Sequence, residues 1–309
     1  MVRETFSKFK AVGRLKDRKL EIVSDKFNDG VEFDTIRGRF VIAIGNGEYT
    51  CEVYMRNKFA GEDHKSNSDF DTIAELQTCA LDTPIEVNIR TNRFNDYVGK
   101  SGKIASVDCF NVNRVKILSE VSDDEKFEGV IEGMVTKCVP EMRNDEETGR
   151  LKVEITGVGY NDKALPHSLY VESNLADDFK DIYELGSLAM FDVAIETVVY
   201  GETTQTETKG FGRKADVSSG FTRPEWIIIG GDLPIDKERV NNKGEKLYIA
   251  PEDIKHLIDE RNMELDQMLK ESKGKTAPKG GKQSLKAIKK EAPKVDNPFD
   301  VDMSENPFL

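Results

Sequence analysis

Arg37, Arg39, Tyr54 and Arg56 fall on two stretches in which apolar and polar residues alternate. Alternation puts successive side chains on opposite faces of a strand. If Ile36, Phe40, Ile42 and Ile44 point inward, Arg37 and Arg39 point out. If Tyr49, Cys51, Val53 and Met55 point inward, Tyr54 and Arg56 point out beside them. Further cations and rings follow the same pattern: Lys10, Arg14, Lys16 and Arg18 on the first strand, Lys58 and Phe59 after the third, and Arg90, Phe94 and Tyr97 around the fourth. Guanidinium and ammonium groups neutralise phosphates and release counterions. Exposed aromatic faces stack bases without reading which base they hold. The competing expectation is an ordinary solvated wall, with Phe59 and Phe94 tucked against loops.

The elements that would carry these residues are short strands between turn signals. Residues 9–23 form one long strand or a strand pair, residues 34–44 the next, and Gly45–Gly47 a tight turn leading into residues 48–56. Residues 69–77 read as a short helix begun by Asp69 or Asp71. Residues 83–94 and 103–117 complete the set, with residues 95–102 as a loop. The order β-β-β-α-β-β is that of an OB-fold barrel.

The order then repeats. Residues 126–139, 149–160 and 168–172 are three strands, and 174–185 a helix with Asn174 at its start. Residues 187–200 and 224–231 are two more strands, on either side of a Thr/Gly/Ser-rich loop. Residues 251–270 have Pro at the first position, acids in the first turn and a helical apolar spacing. That helix docks on the second barrel or pairs with another copy to make a homo-oligomer, and docking is the expectation. The fold class is therefore mainly β: two tandem five-stranded OB-like barrels, a C-terminal helix and a disordered tail.

The formal charge of −12 is unevenly distributed. Residues 1–122, the first barrel, hold 19 basic and 19 acidic side chains; residues 123–235, the second, hold 11 and 23. Residues 236–272 are a connector and helix. Residues 273–295 form a flexible basic linker, in which Lys273–Lys294 hold eight Lys and one Glu. Residues 296–309 are an acidic tail. If a folded part holds phosphate, it is the first barrel. In the tail, Asp296, Asn297, Pro298, Phe299 and Asp300 are followed by Asp302, Glu305, Asn306, Pro307, Phe308 and Leu309. A Phe beside a conformationally restricted Pro, steered by carboxylates, is a handle for another protein.

Catalysis finds little support. Gly99–Gly102 lacks the remaining features of a phosphate-cradling loop, and no zinc-protease or serine-hydrolase motif occurs. The four Cys are widely spaced and the three His share no evident site, so neither a metal nor a cofactor is expected. With no signal-peptide core and no apolar run long enough to span a bilayer, the expected location is the cytoplasm, a host's if the chain is phage-encoded.

The acidic, Phe-bearing tail resembles that of bacterial-type single-stranded DNA-binding proteins, though Leu309 follows the last Phe and Asn stands before each Pro. Val12–Glu21 is similar to their opening strand, in which a Gly-Arg-Leu step precedes an acidic residue. The tandem layout and long linker look more like a phage replication protein. The resemblance implies sequence-nonspecific binding and protection of single-stranded DNA, and recruitment of replication, recombination and repair enzymes through the tail. The alternative from another class is a non-enzymatic adaptor whose Asn-Pro-Phe tail is read by a peptide-binding domain, such as the EH domains of trafficking proteins.

Overall fold

The computed structural model describes residues 2–59, 63–91, 93–99, 101–120, 125–200, 203–205, 216–218 and 221–276. The tail and most of the basic segment lie outside these residues. So does Asn92.

Strands β1 (Ser7–Lys26), β2 (Glu32–Ile44) and β3 (Gly47–Arg56) form an antiparallel meander. Helix α1 (Ser68–Glu75) leads to β4 (Pro84–Arg90), and β5 (Phe94–Val98) and β6 (Ile104–Asp108) precede β7 (Phe110–Ile117). The order β1-β2-β3-β7-β4 closes by pairing of β4 with β1, and β3–β7 is the parallel pair. Closure joins the first and last strands of this order into a barrel. The alternation expected from sequence holds: Ile36, Phe40, Ile42, Cys51, Val53, Ile85, Val87 and Ile89 are all buried.

The second barrel repeats the topology. Its strands are β8 (Lys126–Arg143), β9 (Glu146–Gly159) and β10 (Lys163–Val171), then, after α2 (Ala176–Ile182), β11 (Leu188–Tyr200). A small hairpin of β12 (Thr203–Gln205) and β13 (Asp216–Ser218) precedes β14 (Phe221–Gly231). The barrel closes as β8-β9-β10-β14-β11-β8, with β10–β14 parallel. Each first strand is bulged at a corresponding place, between Leu15 and Asp17 and between Val135 and Lys137.

The barrels join through their first strands. β1 pairs antiparallel with β8 from Ser7↔Ile131 to Val12↔Lys126. Matching the two bulges makes Phe9 the counterpart of Gly129, and these two residues pair with each other at the centre of the ladder. The strands are thus related by a local two-fold axis. The core runs through the junction: Phe9 meets Phe127 at 5.9 Å and Trp226 at 5.2 Å between ring centroids.

Helix α3 (Pro251–Thr276) follows and extends past Lys270, where the sequence pattern places its end. It buries Ile254 and Leu257 in an apolar cluster with Met134, Val158, Ala164 and Leu188 of the second barrel. It also reaches the first barrel, where Arg261 makes a bidentate pair with Asp96 on β5 (2.9 and 2.8 Å).

Local features differ from the sequence reading in four places. Where a loop was expected over residues 95–102, Asn95–Val98 lie on β5 of a β5–β6 hairpin, closed by Gly99 and Gly102 and tied down by Arg261. Residues 103–117 are two strands, broken at Cys109. Helix α1 is capped by Asn67, whose side chain accepts from the Asp69 N–H at 3.2 Å; Asp69 and Asp71 fall in the first turn, where their charge suits the helix dipole. Helix α2 starts after Leu175 with no side-chain cap, so Asn174 does not serve as one.

Candidate nucleic-acid interface

Arg37, Arg39 and Tyr54 share the outer face of the β1–β2–β3 wall. Their register is Glu21↔Arg37↔Tyr54, and in the next outward row Lys19↔Arg39↔Glu52. Tyr54 is 67% exposed, an unusual position for a large ring. Arg37 is exposed and donates to Glu21 at 2.6 Å. Arg39 and Lys19 have no ion-pair partner among the described residues. Arg93 joins the face by pairing with Glu52 at 2.5 Å.

Lys19 and Arg93 were missed as candidates. The bulge at Leu15/Asp17 shifts the alternation and turns Lys19 outward beside Arg39, and sequence does not show a bulge. Arg93 carries one visible signal, its place between two expected site residues, Arg90 and Phe94.

The remaining candidates are dispersed. Lys10 pairs with Glu86 (2.7 Å) and Arg14 with Glu125 (3.5 Å) on the part of β1 before the bulge, and Lys16 with Asp82 (2.6 Å) at the bulge itself. Lys16 holds the Asp82 carboxyl below its ordinary pKa by donating to it. Arg18 is half-buried and donates from Nε to the Gln77 carbonyl at 3.1 Å, beyond the end of α1. Arg56 lies over Phe33 and Phe27, 4.8 and 5.7 Å from their centroids, and is half-buried there. Lys58 donates to the Glu32 carbonyl at 2.7 Å, and Phe59 beside it is exposed. Arg90 is exposed at the end of β4, and Tyr97 is half-buried on β5. Phe94 departs most from expectation. It is half-buried between His167 of the second barrel (centroids 5.2 Å apart) and Arg261 of α3 (4.9 Å), a packed position where an open one was expected.

The corresponding face of the second barrel is built differently. Register from bulge to bulge places Arg150 where Arg37 stands, Lys152 where Arg39 stands, and Glu172 where Tyr54 stands. Arg150 is turned inward, its side chain 12% exposed, and bound by Glu172 and Glu225 at 3.0 Å and Glu141 at 3.6 Å. Burial works against its charge, but the three carboxylates outweigh burial and raise its pKa above the usual value. A guanidinium so neutralised has little left for a phosphate.

The model of one protein family, YorF, matches residues 7–271. The chain belongs to the YorF family. Two solved structures of the single-stranded DNA-binding protein from Thermus aquaticus, the wild type and a deletion mutant, are similar to this YorF chain at a TM-score of 0.41. Each is 9% identical and covers 78% of this chain and 98% of its own. No curated protein matches. Among the described residues of this YorF chain, no group of three or more His, Cys, Asp or Glu side chains is placed to hold a metal, and no helix is long and apolar enough to cross a membrane.

Proposed function

We propose that the first barrel holds single-stranded DNA without reading its sequence, across the outer face of β1–β2–β3. Arg37, Arg39, Lys19 and Arg93 meet phosphates, and Tyr54 stacks a base. The observation that carries this reading is the Tyr54 ring, exposed and flanked by cations in a wall whose counterpart in the second barrel is locked by acids. Backbone neutralisation with base stacking is the combination that single strands require. The second barrel serves as scaffold. The acidic tail, Asp296–Leu309, recruits enzymes of replication, recombination or repair, in the cytoplasm of the cell or of a phage host.

The test is fluorescence anisotropy with a labelled single strand of about 30 nucleotides and with the matching duplex, at two salt concentrations. Salt-sensitive binding to the single strand alone is the expected result. Absence of binding at low salt overturns the reading and returns attention to the adaptor alternative, in which the Asn-Pro-Phe tail captures a protein. Deleting Asp296–Leu309 leaves DNA affinity in place under the first reading and abolishes the only activity under the second.

A further inference from the structure

The cationic row does not end at β3. Its register continues Lys19↔Arg39↔Glu52↔Asn111↔Arg90, across β1, β2, β3, β7 and β4. At the Arg90 end lies a cavity of about 410 Å³, between the segment preceding β1, the end of β4 and the chain after β14. Arg90 and Arg239 both line it, and neither has a carboxylate within ion-pair distance among the described residues. Its acidic lining is partly engaged already. Glu132 is held by Arg3 and by the Phe6 N–H at 2.9 Å, while Glu4 and Asp232 are exposed. Phe6, 41% exposed, gives the cavity a ring. The volume falls in the range of pockets that enclose small ligands.

We infer that this cavity takes one nucleotide of the bound single strand, its phosphate held by Arg90 and Arg239 and its base laid against Phe6. The inference rests on the proposed binding face and extends it. The strand crosses the barrel along the row and leaves at the junction with the second barrel. That gives the connector after β14 a direct part in binding through Arg239, a residue outside both barrels.

The experiment measures Arg239→Ala in the full chain against oligothymidylates of about 10 and about 30 nucleotides, across a salt series. The Arg239 backbone supplies the hydrogen bonds that order its loop, donating to the Asp236 carbonyl at 3.0 Å and accepting from the Leu247 N–H at 2.9 Å. The side chain can therefore be removed with little change in thermal midpoint. The expected result is a loss of about fivefold on the long strand, less than about twofold on the short one, and a shallower salt slope by about 0.7 for the long strand. Unchanged affinity and slope on the long strand, while Arg37→Ala still weakens both oligonucleotides, overturns the cavity and leaves the face standing. Failure of the unsubstituted protein to bind either strand overturns the face, and the cavity with it.

Discussion

The two barrels share topology, bulge position and an antiparallel seam, yet they spend the same outward positions on opposite ends. In the first, Arg37 is solvent-exposed with a single partner and Tyr54 next to it is bare. In the second, Arg150 is drawn under the surface by Glu141, Glu172 and Glu225, with its guanidinium 4.7 Å from the Tyr170 ring centroid. An arginine at one position of one fold can thus stay open to solvent or hold its own barrel together, depending on how many carboxylates the neighbouring strands bring to it. Function on such a scaffold resides in the site rather than in the fold.

The contrast is tested most severely by stability. Arg150→Ala leaves Glu225, which is buried to 0% exposure, with no cation, so a loss of about 3–5 kcal/mol is expected in denaturant unfolding. Arg37→Ala, at the matching position, removes an exposed pair and should cost about 0–1 kcal/mol. Equal losses would erase the distinction between the two arginines.

Binding should show the reverse order. Tyr54→Ala is expected to weaken single-strand affinity by about 1–3 kcal/mol, read by anisotropy, with little change in the salt slope. Arg39→Ala should lower that slope by about 0.7, the effect of one phosphate contact. Lys152→Ala, its counterpart in the second barrel, should change affinity by less than about twofold. A large effect of Lys152→Ala would mean that both barrels hold the strand.

The smallest effect concerns thiols. Burial pushes the Cys51 thiol far up and Cys109, near Glu52, up to about 11. In the native protein near neutral pH both should be protonated and resist alkylation, with reaction rates that rise as pH approaches their pKa. Cys138 of the second barrel is half-buried and only its direction of shift, upward through burial, matches theirs. Mass-resolved alkylation should modify Cys138 before Cys51, so that labelling of Cys51 reports opening of the core around it.

Much of the barrel interior was legible because a strand writes its buried face with a period of two. Ile85, Val87 and Ile89 could be assigned inward from spacing, and so could Ile36, Phe40 and Ile42. The same spacing placed Arg37, Arg39 and Tyr54 on one outer face. What it could not show is what arrives from elsewhere to cover a residue. Phe94 was expected outward at the end of the fourth strand, but β4 ends at Arg90; Phe94 opens β5, where His167 and Arg261 come from the other barrel and from α3 to enclose it. Arg150 was not singled out by spacing, and its three acids come from β8, the residue after β10, and β14. Arg56 lies against Phe33 of β2 and Phe27 of the turn before it. In each of these places a long-range contact decided the outcome.

The seam between β1 and β8 has a consequence for behaviour at dilution. Two barrels held by a strand ladder in separate chains would come apart as the protein is thinned out. Here the partners are tethered on one polypeptide, so the effective concentration of each barrel for the other is set by the short connection from β7 to β8 and not by the number of molecules in the cell. The paired state should therefore survive when the protein is scarce. One barrel is also free to accumulate acids that, in a symmetric assembly of identical chains, would have appeared on both outer faces at once.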